Sequence, residues 1–331
     1  MRVKILGNTI WGSTLGLLLS NAGNEVDLIF RNNDKLTEAK KSSTFLIGNK
    51  KLDKSDKIKF VNFEELHFEN DDLLLIALPS SKIKENLKNI QDKLHDQITI
   101  ISASKGLSED GKTLTRMISS ETNINHSQIG VMTGPNLATE IIEGKPATTL
   151  LSFSNLDKAN SIRDDFSSDN FRVYSGDDVI GAEIGGALKN IIAIGSGIID
   201  KLKLGDNAKS AFITRGLREI TRFGIYHGAK EYTFYGLSGI GDLFTTCSSD
   251  LSRNWQLGYN LASGITYQEF KVKTKLTIEG ANATKIVNMI SKKEGIDMPI
   301  TNMTFKVLEE NYNPEIAIKE FMSRDLSQER N

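Results

Sequence analysis

The chain has 331 residues, 39% of them hydrophobic and 25% charged, the balance of a globular protein long enough for two domains. With 41 basic and 42 acidic residues the formal charge is −1, and no long block of like charge marks a polyanion-binding arm, which argues against nucleic acid as a partner. The single cysteine, Cys247, excludes an internal disulfide framework, and the histidines at 67, 95, 126 and 227 are too scattered to suggest a metal site.

A reducing, cytoplasmic setting is expected. Met1-Arg2-Val3-Lys4 before apolar residues superficially resembles a secretory signal, but Gly7, Asn8, Thr9 and Gly12 interrupt the apolar segment and no small-residue cleavage site follows. No uninterrupted apolar run approaches the roughly 20 residues of a membrane span.

Short, nearly continuous apolar runs at 3–6, 25–30, 58–61, 73–78, 97–102 and 129–132 predict central strands of a parallel sheet. Helices are predicted between them at 11–21, 81–94, 111–121 and 136–143, so strand and helix alternate. The lysine-rich stretch 50–59 reads as a solvated connection. Two further strands, 147–153 and 171–174, follow, and one edge of the sheet is expected to be antiparallel.

From about Asp177 apolar residues recur at helical spacing and strand patterns disappear. Helices are predicted at 178–202, 207–228, 252–262, 278–293 and 300–310. The expected fold is α/β: a Rossmann-like, doubly wound, mostly parallel sheet over residues 1–178, joined through a continuous helix to an all-α domain over 179–331. No internal repeat is present.

The first strand leads into Gly7-Asn8-Thr9-Ile10-Trp11-Gly12, after which Leu15, Leu17, Leu18 and Leu19 supply a buried helix face. In a dinucleotide fold such a turn brings backbone against a pyrophosphate at a helix N-terminus. Thr9 replaces the usual middle glycine and adds a side chain where close approach is wanted. An ordinary strand-to-helix turn is the plainer alternative, and the βαβ pattern that follows favours cofactor binding. Trp11 either covers the cofactor or is a core aromatic at a helix start.

Asp27 has roughly the 20-residue spacing of an NAD-selective ribose ligand, but it lies inside the second strand, where alternation can point it outward. Arg31 stands at the strand end, where a guanidinium suits a 2′-phosphate. NADP is favoured over NAD, and a solvated loop arginine is the alternative.

Polar groups in unusual settings follow at Ala103-Ser104-Lys105-Gly106-Leu107, Thr133-Gly134-Pro135-Asn136-Leu137-Ala138, Gly185-Gly186-Ala187-Leu188-Lys189-Asn190 and Gly239-Ile240-Gly241-Asp242-Leu243. Lys189 is the most informative, because Ile184, Ala187, Leu188, Ile191, Ile192 and Ile194 make its helix apolar nearly all round. A lysine snorkelling to the surface is the structural alternative. Gly185 and Gly186 argue for close approach of a ligand or another backbone.

These segments resemble the NAD(P)-dependent glycerol-3-phosphate dehydrogenases. The resemblance rests on Ala103 to Leu107, Gly134-Pro135, Gly185 to Gly195, Thr214-Arg215-Gly216, Gly239 to Cys247, Ser252-Arg253-Asn254 and Ile278-Glu279-Gly280, and it covers nearly the whole chain. It implies reversible reduction of dihydroxyacetone phosphate to sn-glycerol 3-phosphate for phospholipid synthesis, in a homodimer. Lys189 is implied to be the catalytic acid/base, helped by Asp242 and Lys105. Gly134, Asn136, Asn190, Thr246, Ser252, Arg253 and Asn254 are implied to complete the substrate site. For the cofactor, Gly7, Ile10, Trp11, Gly12, Arg31, Lys105, Ala138, Arg253, Ile278 and Glu279 are the candidate contacts. Asn136 stands where many relatives have threonine or serine.

The chemistry of these residues agrees. Hydride addition to a ketone leaves negative charge on its oxygen, which an ammonium can stabilise and protonate. Asp242 would orient Lys189 and keep it charged, whereas capping the following helix is its plainer role. Ser252 to Asn254 opens a helix, so Arg253 and free backbone N–H groups can converge on a phosphate; a Ser N-cap beside an exposed arginine is the alternative. Cys247 reads as a packing residue. A hydroxy-acid dehydrogenase would need carboxylate recognition instead, and a dinucleotide sensor without turnover would not need Lys105, Lys189 and Asp242 together.

Overall fold

A computed structural model describes residues 1–42, 44–53, 55–274 and 278–323. Its first half runs β1 (Arg2–Leu6), α1 (Ile10–Asn21), β2 (Glu25–Ile29) and α2 (Asn33–Lys41). A hairpin of β3 (Thr44–Ile47) and β4 (Lys50–Asp53) then precedes β5 (Ile58–Val61). Next come β6 (Asp72–Ile76), α3 (Ser80–Lys88), β7 (Thr99–Ser102), α4 (Leu114–Thr122), β8 (Ile129–Thr133) and α5 (Ala138–Ile142). The half ends with β9 (Ala147–Ser152), α6 (Leu156–Phe166) and β10 (Phe171–Gly176).

Eight of these strands form one sheet in the order β5-β2-β1-β6-β7-β8-β9-β10. Every neighbouring pair is parallel except β8 with β9, so the expected antiparallel step is present, with β9 and β10 running together beyond it. The chain moves outward from β1 to β2 and β5, then returns to place β6 on the other side of β1. That switch in direction opens a crevice at the carboxyl ends of β1 and β6, the place where doubly wound sheets bind ligands.

The strands read as continuous apolar runs because both faces are covered. Val3, Ile5, Leu28, Leu73 and Leu75 pack in one core with Leu15 and Leu19 of α1. Leu6, Ile29, Leu74 and Ile76 pack in the other with Ile83 and Leu87 of α3. Lys4 is the exception within β1; it is buried and meets Asp27 at 2.6 Å and Asp72 at 3.4 Å on the two flanking strands. Asp27 is thereby committed to the sheet and is not a ligand at the strand end.

The second half is helical: α7 (Val179–Lys201), α8 (Asp206–Tyr226), α9 (Asp242–Ser248), α10 (Arg253–Leu261), α11 (Tyr267–Thr274), α12 (Glu279–Glu294), α13 (Pro299–Glu309) and α14 (Pro314–Met322). α7 is the axis, with every residue from Gly181 to Ile199 buried. It has the length and apolarity of a membrane span, and here other protein elements enclose it.

Three expectations are corrected. The junction of the halves is not a continuous helix: β10 ends at Gly176, and Asp178 caps α7 by accepting from the Gly181 N–H at 2.9 Å. Residues 50–59 are not a plain connection, because β4 pairs with β3 and exposes alternate residues, including Lys51 and Asp53. The predicted helix 81–94 stops at Lys88, with only a 3₁₀ turn at Gln91–Lys93 beyond it. α2 escaped prediction since Leu36 is its one buried residue, leaving almost no apolar period to detect.

Candidate active site

The turn after β1 is built for close backbone approach. Gly7 has φ +128, and a Cβ there would lie 2.6 Å from the Ala77 carbonyl oxygen at the end of β6. Thr9 does not crowd the space in front of the turn. Its hydroxyl donates to that same Ala77 oxygen at 2.9 Å and accepts from the Gly12 N–H at 3.0 Å, making Thr9 the N-cap of α1. The N–H groups of Ile10 and Trp11 have no acceptor within the helix and stand at its positive end. Trp11 reaches across β6 to donate to Ala103 O at 3.1 Å, so it braces the ends of β1 and β7 while lining the crevice.

The crevice, of about 540 Å³, is lined from the sheet by Thr9, Ile10, Trp11, Ala77 to Pro79, Ala103 to Lys105, Asn136 and Leu137. From the helices it receives Lys189, Asn190, Thr246, Leu251 to Asn254 and Glu279. The two halves therefore share one cavity.

At its base lies a carboxylate between two ammonium groups. Asp242, 1% exposed, pairs with Lys105 at 2.7 Å through Oδ2 and with Lys189 through Oδ1. Lys105 also donates to Gly134 O at 2.9 Å. Lys189 donates to Thr246 Oγ1 at 2.6 Å, and that hydroxyl donates to the Asp242 carbonyl at 2.7 Å. An ammonium carries three donors, so two are fixed and the third remains for a group in the crevice. Burial pushes the Lys189 ammonium down to about 7; Asp242 opposes that shift and Lys105 adds to it. Asp242 is the first residue of α9, yet its carboxylate makes no cap there. Burial pushes the Cys247 thiol up to about 12, which makes it a packing group.

An amide ladder forms the adjoining wall. Asn254 donates to Asn190 Oδ1 at 2.8 Å and accepts from the Gly280 N–H at 2.9 Å, locking α10, α7 and α12 together. Ser252 caps α10 through the Trp255 N–H at 3.3 Å, which leaves Arg253 on the exposed side of the first turn. Glu279 is spanned by the Ser80 N–H at 3.0 Å and the Ser80 hydroxyl at 2.6 Å, so it caps α3 across the crevice. Burial raises its pKa, and the nearby Arg253 charge partly offsets the rise.

Other candidates sit differently. Both ends of the Asn136 amide are engaged by β9, donating to Thr148 O at 2.9 Å and accepting from Thr149 Oγ1 at 3.0 Å. Gly134 lines nothing with a side chain, but its carbonyl holds Lys105. Ala138 opens α5 outside the lining, and Ile278 is buried in the core between α10 and α12. Arg31 lies outside the crevice lining and pairs with Glu85 of α3 at 2.7 Å, both exposed. Ser80 was missed by sequence reading, because a serine after proline carries no local signal of a partner far along the chain; the close approach expected at Gly185 is present, and its partner is the backbone of Ser238.

Two family models match the chain: NAD-dependent glycerol-3-phosphate dehydrogenase N-terminus over residues 2–159 and its C-terminus over 178–319. A glycerol-3-phosphate dehydrogenase [NAD(P)+] of Oceanobacillus iheyensis is 37% identical over 326 residues, 98% of this chain and 94% of the relative. One from Clostridium botulinum is 36% identical over 332 residues, 99% of both chains. The crystal structure of glycerol-3-phosphate dehydrogenase from Coxiella burnetii superposes with a TM-score of 0.87 at 32% identity, covering 98% of this chain and 99% of that one. With both halves matched in order and a like fold throughout, this chain belongs to the NAD-dependent glycerol-3-phosphate dehydrogenase family.

Proposed function

We propose that the chain catalyses reversible, NAD(P)-dependent interconversion of dihydroxyacetone phosphate and sn-glycerol 3-phosphate, with Lys189 as the proton donor and acceptor, supplying a precursor for phospholipid synthesis. The observation that carries the mechanism is the Lys189 ammonium, buried and held by Asp242 and Thr246 with one donor left over. A bound nicotinamide supplies or takes the hydride at C2. Gly7, Gly12 and the open N–H groups of Ile10 and Trp11 would hold its pyrophosphate, and the backbone geometry of Gly7 fits that use.

Lys189 stabilises the negative charge that develops on the substrate's C2 oxygen and passes it a proton. Asp242 aims Lys189, while Lys105 keeps Asp242 from holding that proton too tightly. Arg253 and the first-turn N–H groups of α10 receive the phosphate, supported by Asn190 and Asn254. Arg31 reads a 2′-phosphate, giving a mild preference for NADP once Glu85 releases it. The division into a cofactor domain over 1–178 and a catalytic domain over 179–331, a homodimer and a cytoplasmic location belong to the same reading. The division draws support from the two family matches, which end at residue 159 and begin at residue 178, and the location from the free, buried Cys247.

Turnover of dihydroxyacetone phosphate, free dihydroxyacetone and ketopantoate, each with NADH and NADPH, tests the proposal. Strong preference for the phosphorylated ketone is expected. Preference for the carboxylate substrate would overturn it.

A further inference from the structure

We infer that Gly185 is a positioning residue for the catalytic pair: it lets the backbone of Ser238 lie directly on α7 and so fixes the reach between Lys189 and Asp242. The inference rests on the proposed role of Lys189.

A Cβ at Gly185 would overlap the Ser238 carbonyl oxygen and lie 3.0 Å from its carbonyl carbon. Both neighbours are backbone, so no rotamer change relieves the clash. Ser238 belongs to a π-turn, Leu237–Gly241, that runs straight into α9 at Asp242. The Gly241 N–H reaches back to Gly236 O at 3.2 Å, and Ser238 is fully buried. Single π-turns of this kind recur at functional sites, where they re-aim the helix that follows.

The spacing makes the contact specific. Lys189 lies four residues beyond Gly185, on the same face of α7 and one turn further on. Asp242 lies four residues beyond Ser238. The Gly185–Ser238 contact and the Lys189–Asp242 ion pair are thus successive rungs between the same two segments. With ordinary contact beginning at 3.4 Å, an alanine at 185 drives the π-turn and the start of α9 away by about 1 Å. Thr246, on α9, retreats with it.

The titratable groups facing Lys189 are Asp242, Lys105 and Cys247. Lys105 is anchored to Gly134 on the sheet side and stays in place. Withdrawing Asp242 alone weakens the one group that favours the protonated lysine, while burial and Lys105 persist.

The test measures kcat, KM and the pH profile of ketone reduction for Gly185→Ala and Gly195→Ala. Gly195 lies on the same helix, but its added Cβ would meet the ring of Phe212 on α8 instead of the backbone of the π-turn. For Gly185→Ala, kcat is expected to fall by about 10- to 100-fold, as for an ångström-scale misplacement. KM for dihydroxyacetone phosphate should change little, and the limb where activity is lost at high pH should move to lower pH. Gly195→Ala should lower Tm without moving that limb.

Asp242→Glu supplies a second arm that does not depend on the fate of one variant. The longer side chain should harm the native spacing and partly restore kcat in the Gly185→Ala background. An unmoved limb in Gly185→Ala, or strictly additive losses in the double variant, would overturn the inference. Lys189→Ala run beside them separates the cases: an active Lys189→Ala sinks the proposed mechanism, whereas an inactive one with an unmoved Gly185→Ala limb sinks only the role of Gly185.

Discussion

At Lys189 two demands oppose each other. In the proposed mechanism the residue is charged when it polarises a ketone and gives up its proton near neutral pH. Burial and the Lys105 charge favour the neutral amine, whereas Asp242 favours the ammonium; the balance holds the group at about 7. Reduction needs the protonated form, so its kcat should fall as pH rises through about 7. Glycerol 3-phosphate oxidation needs the neutral amine and should rise over the same range. Measuring both directions across pH 5.5 to 9 checks this, and limbs of the same sign would contradict it. Lys189→Ala should lower turnover by about 10³-fold or more while leaving reduced-cofactor binding, read by fluorescence titration, largely intact. Arg31→Ala should weaken NADPH binding more than NADH binding, and equal losses would remove Arg31 from the cofactor site. The Arg31–Glu85 pair is exposed on both sides, so it contributes little to stability and yields readily to a phosphate.

Among the elements, α1 shows how a departure from a motif is absorbed. Thr9 stands where a smaller residue is usual, yet its φ of −79 needs no glycine, and its hydroxyl bonds point back into the protein. The turn gains a cap and a tie to β6, and the backbone face remains open. Thr9→Ala should therefore cost about 1 kcal/mol of stability through the lost cap and weaken cofactor binding through a looser turn. Chemical denaturation and cofactor titration read the two effects, and tighter binding in the variant would show that Thr9 does obstruct the pyrophosphate. The glycine hexad and the strand before it were legible because a helix start leaves its signature within a few residues. The Thr9–Ala77 bond was not, since its partners are separated by 68 positions.

Across the whole molecule, three largely buried glutamates of the helical half cap helices elsewhere. Glu183 on α7 accepts from the Thr115 N–H at the start of α4, and Glu279 on α12 accepts from Ser80 at the start of α3. Glu219 on α8 accepts from the Thr301 N–H of α13. Two of these tie the helices to the sheet half, one of them at the crevice wall. Burial raises Glu183 and Glu219 from 4.5 to about 7. A raised pKa means that the folded chain holds a proton which the unfolded chain has released. The stabilisation is therefore full below pH 4.5 and is lost as pH rises through 7, on the order of 3 kcal/mol per group. Glu219→Gln should flatten the fall in Tm between pH 5.5 and 8, measured by calorimetry. A slope identical to that of the unsubstituted protein would count against this account.

The alternation of strand and helix, the position of the glycine turn and the groups able to do the chemistry are legible along the chain, because they depend on short-range periodicity and residue type. Lys189 stood out for the same reason: a lysine in an apolar helix is conspicuous without any structure. Which groups face one another is set by the packing of elements far apart along the chain. That packing committed Asp27 to Lys4, closed both ends of the Asn136 amide on β9, and placed one carboxylate between Lys105 and Lys189 from three separate segments. Such pairings depend on distances between elements, which are fixed by packing contacts as slight as the missing Cβ of Gly185 and leave no pattern along the chain.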